Sequence, residues 1–442
     1  METADQESVD AAVAASVRAF RLWGKTTGFE RGKRLRALAE VALTRTDDLA
    51  SSMTLEQGKP LNEARGEVRK FAQAMRFYGE EAERILGQTI PNESNDYLSI
   101  VQREPVGPVA AITPWNYPVE LIGWKLGGAL GAGCTIVIKA SEHTPGAAQI
   151  LAECVRDAGL PPGVVNVVHG GGEVGAMAAG HPDIAKVAFT GSTATGQRLF
   201  KTVSGVTRLT MKLGGSCPMI VSQHADLDLA AAGAVRRSFR NAGQICIAIN
   251  RIYVEQRVLD DFVDRVAALT QELVVADGFT HPDADVGAVT MEEIRARTAA
   301  HVTDAVDRGA TLLTGAGGHP LGGLFRNPAV VVGAPQDSLI MTEETFGPAV
   351  GVLGVASLKE AVEHSNAVAG GLAAYLFTDN LGETMRVGTG LDFGNVAVNT
   401  VDAGIINAPY GGRRESGFGS EHGREGLENY LQHKHLRIRH TH

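Results

Sequence analysis

The first place in this sequence where chemistry could reside is a cysteine after a glycine-containing turn, Asn241-Ala-Gly-Gln-Ile-Cys246-Ile-Ala-Ile-Asn-Arg251. A thiol presented to a cleft is a candidate nucleophile if positive charge or backbone N–H groups favour its thiolate. A lone cysteine also serves as a small buried hydrophobe, and spacing alone leaves both readings open. A second passage, Phe189-Thr-Gly191-Ser192-Thr-Ala-Thr-Gly196, reads as strand, glycine loop and helix start. N–H groups at a helix start favour phosphate, although Gly and Ser also make ordinary turns. A third, Lys139-Ala-Ser141-Glu142, follows the apolar run CTIVI. At the carboxyl end of a strand such a pair suits ribose hydroxyls, or else is a surface ion pair of little worth. Finally, residues 208–218, RLTMKLGGSCP, alternate apolar and polar side chains into the Gly214-Gly215 turn. Lys212 there is either a solvated strand residue or a working group.

The elements that must position these residues follow from periodicity. Residues 8–85 carry apolar side chains at helical spacing, interrupted at Gly58-Lys-Pro60. Residues 87–105 turn to β character and predict a hairpin projecting from the helices. From Val106 short apolar strands (GPVAAITP, CTIVIKAS, VVNVVHG, KVAFTGS) alternate with helices. That pattern predicts an α/β fold with a parallel, doubly wound sheet and ligands at the strands' carboxyl ends. Helices are expected at 227–240, 256–274 and 291–308, with strands near RIYVE, AVVVG, AVGVLGV and NVAVN. Together they predict a second α/β domain over about 215–420. The last stretch, LENYLQHKHLRIRH, ends in a strand that pairs with the 87–105 hairpin or with another subunit.

Composition narrows the class. A chain of 442 residues with 44% hydrophobic and 21% charged residues is a soluble globular protein of two domains. Its net charge of −9 excludes the electrostatic footprint of a nucleic-acid binder. No apolar run approaches the roughly 20 residues of a membrane helix, and METADQESVD is no signal peptide. Cys134, Cys154, Cys217 and Cys246 have no zinc spacing, so a reducing cytoplasmic location is expected. His433, His435, His440 and His442 alternate with basic residues in the terminal strand and read as solvated; no metal is expected.

Taken together, TPWNYP, IKASEHTP, FTGSTATG, GQIC, EETFGP and PYGGRRESGFG resemble the aldehyde dehydrogenase superfamily, in family order from about residue 8 to the end. The resemblance implies a Rossmann-like NAD-binding domain (1–86 and 106–214), a catalytic domain (215–420) and oligomerisation strands (87–105 and 427–442). It implies that Cys246 attacks an aldehyde and that Asn116, with the Cys246 N–H, holds the oxyanion. Hydride transfer to the nicotinamide then leaves a thioester. Lys139, Ser141 and Glu142 fall at the adenosine ribose, Gly191 and Ser192 at the pyrophosphate, Gly214, Glu344 and Phe346 at the nicotinamide side, and Trp115 at the junction with substrate. Glu142 favours NAD, while Lys139 and Ser141 accommodate NADP if Glu142 swings away. Arg240 matches a carboxylate-binding arginine of succinate-semialdehyde dehydrogenases, whereas Trp124 resembles the aromatic wall of betaine-type members. A homodimer or homotetramer acting on a small aldehyde, without nucleic acid or membrane, is the expectation.

Two departures stand out. Members of the superfamily begin with some tens of residues ahead of the first helix, which would support the cofactor domain's edge or the oligomer. More consequential, Lys212 stands where the superfamily's general-base glutamate is expected. An ammonium has donors and no acceptor, so thioester formation should persist while hydrolysis slows. The alternatives are acyl transfer to a thiol such as coenzyme A, or an impaired NAD-binding or interaction protein of the same fold.

Overall fold

The computed structural model describes residues 2–440; His442, among the histidines discussed above, lies outside them. Four helices, Gln6–Trp23, Gly28–Thr44, Thr46–Gln57 and Leu61–Ala82, fill the region expected to be helical. The break at Gly58-Lys-Pro60 is a left-handed turn, with Gly58 at φ 93° ending the third helix. These helices pack through Leu35, Phe71, Met75 and Tyr78 against Pro118–Ala132, a helix buried along almost its whole length.

Helix Pro118–Ala132 lies against a six-stranded sheet ordered Gly417–Phe418, Arg208–Lys212, Lys186–Thr190, Val109–Ile112, Ile136–Lys139 and Val165–Val168. All neighbours are parallel except Gly417–Phe418, which runs antiparallel beside Lys212. The two central strands Val109–Ile112 and Ile136–Lys139 are buried along their whole length because helices cover both faces. Residues 417–418, placed by the sequence pattern with the second domain, thus complete the edge of this sheet.

A seven-stranded sheet follows, ordered Thr311–Thr314, Ala329–Val332, Ala349–Val355, Ile249–Glu255, Cys217–Val221, Ala373–Phe377 and Asn395–Val398. The expected helices appear at Leu227–Phe239, Leu259–Gln271 and Glu292–Asp307. Two inner strands, Cys217–Val221 and Ala373–Phe377, carry no period-two signal because both of their faces are buried. The terminal strand Leu431–Arg439 pairs antiparallel with Tyr97–Pro105, extending the Gln88–Ile90 hairpin into a three-stranded sheet. Of the two partners open to that strand, the hairpin of the same chain is the one it takes. No helix among the described residues is long and apolar enough to cross a membrane.

Candidate active site

The carboxyl ends of the six-stranded sheet face the entry to strand Ile249–Glu255. Trp115, Asn116, Gly191, Ser192, Lys212, Gly214, Cys246, Glu344 and Phe346 meet there, while Lys139, Ser141 and Glu142 line neither cavity that reaches Cys246. Between helix Leu227–Phe239 and that strand the chain makes a tight left-handed turn, with Asn241, Ala242 and Gly243 at φ 51°, 53° and 72°. Only a glycine fits the third position, since a Cβ would overlap the Gly347 carbonyl. The turn presents Cys246 half-buried, whereas Cys134, Cys154 and Cys217 are buried. Of the four cysteines, Cys246 alone is within reach of solvent.

Lys212 ends its strand buried, 2% exposed, and its Nζ donates to Cys246 Sγ at 3.0 Å. Of the two readings open for this lysine, the solvated one is excluded. The ammonium lies 5.5 Å from the Trp124 ring centre and 5.1 Å from that of Tyr410, within cation–π range. Burial works against its charge, but attraction to Cys246 and Glu421 outweighs burial and holds its pKa above the ordinary lysine value. Lys125 completes the cluster, donating to Thr190 Oγ1 at 2.6 Å and pairing with Glu421. Its own pKa is lowered by burial, with repulsion from Lys212 adding to that. Sequence reasoning missed Lys125, Glu421 and Tyr410. The one available signal for Lys125 was a charged side chain in the middle of a mostly apolar helix.

Asn116 is buried, and its Nδ2 donates to the Gln244 carbonyl at 2.9 Å. Its main-chain carbonyl accepts from Lys59 Nζ at 2.8 Å and Asn241 Nδ2 at 3.1 Å. Lys59 in turn bonds Glu67 at 2.5 Å, both side chains fully buried. The other Glu67 oxygen accepts from the Val119 and Glu120 N–H groups at 2.8 and 3.0 Å. A buried ion pair thus fixes the loop that carries Asn116, a further element the sequence did not disclose.

A cavity of about 260 Å³ opens on one side of Cys246, lined by Trp115, Asn116, Gly191, Ser192, Lys212, Gly214, Glu344 and Phe346. Trp115 meets Phe346 edge-on at 5.5 Å. Glu344 reaches the Gly215 N–H at 3.3 Å, and a Cβ at Gly214 would overlap its carboxylate. Burial pushes the Glu344 carboxyl up to about 7. Ser192 caps helix Thr193–Thr202, its Oγ accepting from the Thr195 N–H at 3.3 Å. Beside this cavity Lys139 Nζ pairs with Glu142 at 3.1 Å, and Ser141 Oγ accepts from the His143 N–H at 3.3 Å.

A second, narrower cavity of about 80 Å³ reaches Cys246 and Asn116 from the opposite side, lined by Lys70, Glu120, Trp124, Arg237, Arg240, Tyr410 and His422. Trp124 packs edge-on to Tyr410 at 5.8 Å and to His422 at 4.2 Å. Arg240 Nε pairs with Glu63 at 3.0 Å, and Tyr117 Oη donates to the same carboxylate oxygen at 3.0 Å. Arg237 pairs with Asp402 at 2.9 Å and Lys70 with Glu120 at 3.4 Å. A larger groove of about 440 Å³ touches Arg240 from outside but holds no nucleophile, so size alone does not locate the site.

The arrangement brings a half-buried thiol and a buried side-chain amide together where two cavities meet. Residues 1–436 match the aldehyde dehydrogenase family. A glutarate-semialdehyde dehydrogenase of Pseudomonas aeruginosa is 40% identical over 434 residues, spanning 96% of this chain and 88% of that protein. An NADP(+) succinate-semialdehyde dehydrogenase of Escherichia coli is 40% identical over 433 residues, spanning 97% and 89%. The crystal structure of succinate-semialdehyde dehydrogenase from Burkholderia pseudomallei superposes with a TM-score of 0.97 at 38% identity, covering 99% of this chain and 91% of that one. The chain belongs to the aldehyde dehydrogenase family and is an NAD(P)-dependent enzyme that oxidises an aldehyde to a carboxylic acid.

Proposed function

We propose that this aldehyde dehydrogenase acts on an aldehyde with an anionic tail, through Cys246, and that Lys212 makes deacylation its slow step. The observation that carries the reading is the meeting of the two cavities at Cys246, with Lys212 Nζ 3.0 Å from its sulfur. The glycine cradle at Gly214, the Glu344 carboxylate and the Trp115–Phe346 wall fit a nicotinamide and its ribose, and Lys139 with Glu142 fits the adenosine ribose. The bound cofactor supplies the hydride acceptor. The Glu142 carboxylate disfavours a 2′-phosphate, which supports NAD over NADP.

Lys212 provides positive charge for the Cys246 thiolate before attack. One Asn116 amide N–H is committed to Gln244, and the second, with the Cys246 N–H, serves the oxyanion; such donors contribute about 2.7–4 kcal/mol each. Once the thioester has formed, water must lose a proton as it attacks. An ammonium at residue 212 cannot accept it. Arg240, Arg237 and Lys70 line the substrate side, paired with Glu63, Asp402 and Glu120. Arg240 engages Glu63 through Nε, and the terminal N–H groups of its guanidinium suit a substrate carboxylate. The semialdehyde dehydrogenases among the relatives support that tail, and Trp124 packs along its apolar part.

The test is rapid mixing of enzyme and NAD with succinic semialdehyde, glutaric semialdehyde, hexanal and betaine aldehyde. The expected result is a stoichiometric NADH burst, fastest with the semialdehydes, and a KM raised for those two alone in Arg240→Met. Equal bursts with all four aldehydes would overturn the tail assignment, and no burst with any would overturn the role of Cys246. The missing base also favours a second reading, in which coenzyme A or another thiol takes the acyl group; turnover that appears only with that thiol is its signature. The exposed strand Leu431–Arg439 and its hairpin support a homodimer or homotetramer, and four free cysteines support a cytoplasmic enzyme.

A further inference from the structure

We propose that Cys246 and Lys212 form a reversible sulfenamide cross-link, Sγ to Nζ, when the enzyme meets hydrogen peroxide. The inference stands on geometry and does not require that Cys246 turn over an aldehyde. A lysine amine directly on a solvent-reachable thiol is the arrangement it needs. Nζ lies 3.0 Å from Sγ, and Cys246 is half-buried where two cavities meet, so a molecule the size of peroxide reaches it.

The steps balance. The Cys246 thiolate attacks one peroxide oxygen, the O–O bond breaks, and sulfenic acid and hydroxide form; sulfur is oxidised by two electrons and peroxide is reduced. The neutral Lys212 amine then attacks the sulfenic sulfur. The S–N bond forms, the S–O bond breaks, and hydroxide leaves with the amine proton as water. Two equivalents of a thiol reductant return both side chains and yield one disulfide of the reductant.

The first step prepares the second. Lys212 stays charged because Cys246 and Glu421 outweigh its burial. Conversion of the thiolate to neutral sulfenic acid removes the nearer of those charges, while Glu421 is already engaged by Lys125. Burial, the largest influence on Lys212, then works against its charge with the Cys246 attraction gone. The Lys212 stem is flexible enough to close the remaining distance.

Cys217 is the competing partner. Its Sγ instead faces backbone carbonyls, Cys246 O at 3.5 Å and Gly215 O at 4.0 Å, and burial pushes its thiol up to about 12. It is the less reactive group of the two.

Peptide mapping decides between them. Brief treatment of the whole enzyme with a small excess of peroxide, then trypsin without reductant, is expected to give peptide 209–236 joined to 241–251. That species is lighter than the sum of its parts by two hydrogens and is uncleaved after Lys212. Dithiothreitol should restore both the peptides and thiol reactivity. In Lys212→Arg, which keeps the positive charge, the cross-link should vanish and Cys246 should advance to sulfinic acid that dithiothreitol does not reverse. A join between 213–236 and 241–251 would mean a Cys217–Cys246 disulfide and overturn the proposal. Sulfinic or sulfonic acid as the only product in the unaltered enzyme would overturn it equally.

Discussion

Replacing Lys212 with glutamate should raise steady-state turnover while leaving the NADH burst in place. A glutamate is one heavy atom shorter than a lysine. From the 3.0 Å separation of Nζ and Sγ, adding one bond of about 1.5 Å places a carboxylate oxygen up to about 4.5 Å from the sulfur. That gap admits one water between carboxylate and thioester carbon, the relay a general base needs. The new side chain would share Lys125 with Glu421, so its charge would not be left unpaired. General-base catalysis contributes about 10²–10⁴-fold, or about 2.7–5.5 kcal/mol of the deacylation barrier. The assay is stopped-flow NADH absorbance with a semialdehyde, which separates burst from steady state. The unaltered enzyme should show a burst of one NADH per site and then a slow phase; in Lys212→Glu the slow phase should rise towards the burst rate. A slow phase unchanged in the variant, with the burst intact, would refute the claim that residue 212 limits deacylation. A linear time course without a burst in the unaltered enzyme would refute the claim that deacylation is slow at all.

Asn116→Ala should slow the burst by about 10²–10³-fold, with alkylation of Cys246 by iodoacetamide unchanged because the thiol's surroundings remain. Lys59→Met would leave Glu67 buried and unpaired, a loss of about 3–5 kcal/mol, read as a lower denaturant midpoint that Lys59→Met/Glu67→Leu partly recovers. Burial raises the Glu344 carboxyl from 4.5 to about 7, so between those values the folded apoenzyme holds a proton that the unfolded chain releases. Stability should therefore fall as pH rises through that window. Melting temperatures of Glu344→Gln should lack this slope.

How much of this was legible beforehand varies by residue. The α/β alternation, the hairpin and the turn carrying Cys246 follow from local periodicity and turn chemistry, which act over a few residues, whereas Asn116 stood out only through the resemblance. Strands Cys217–Val221 and Ala373–Phe377, buried on both faces, lack alternation, as do Val109–Ile112 and Ile136–Lys139; such short apolar runs are legible only from their place in a strand–helix alternation. Arg240 was a candidate carboxylate ligand by type and position, yet Glu63, far away in the chain, already holds its Nε.

Lys212 shows the division most clearly. Its sequence setting, a polar side chain alternating with Leu209, Met211 and Leu213, determined a strand and a glycine turn and nothing about which way the ammonium pointed. The tertiary structure decided that, by laying Gly417–Phe418 along the strand's open edge and bringing Cys246, 34 positions away, against Nζ. Lys125 and Glu421 meet across 296 positions and Cys246 and Tyr410 across 164. Contacts of that range are set by sheet order and helix packing, not by any repeat within the segments themselves. The sequence by itself determined the glycine turn before Cys246, the strand-to-helix loop at Gly191-Ser192 and, by resemblance, the expectation of a glutamate where Lys212 stands. Only the fold decided that the lysine standing there is buried, charged and in contact with the Cys246 sulfur.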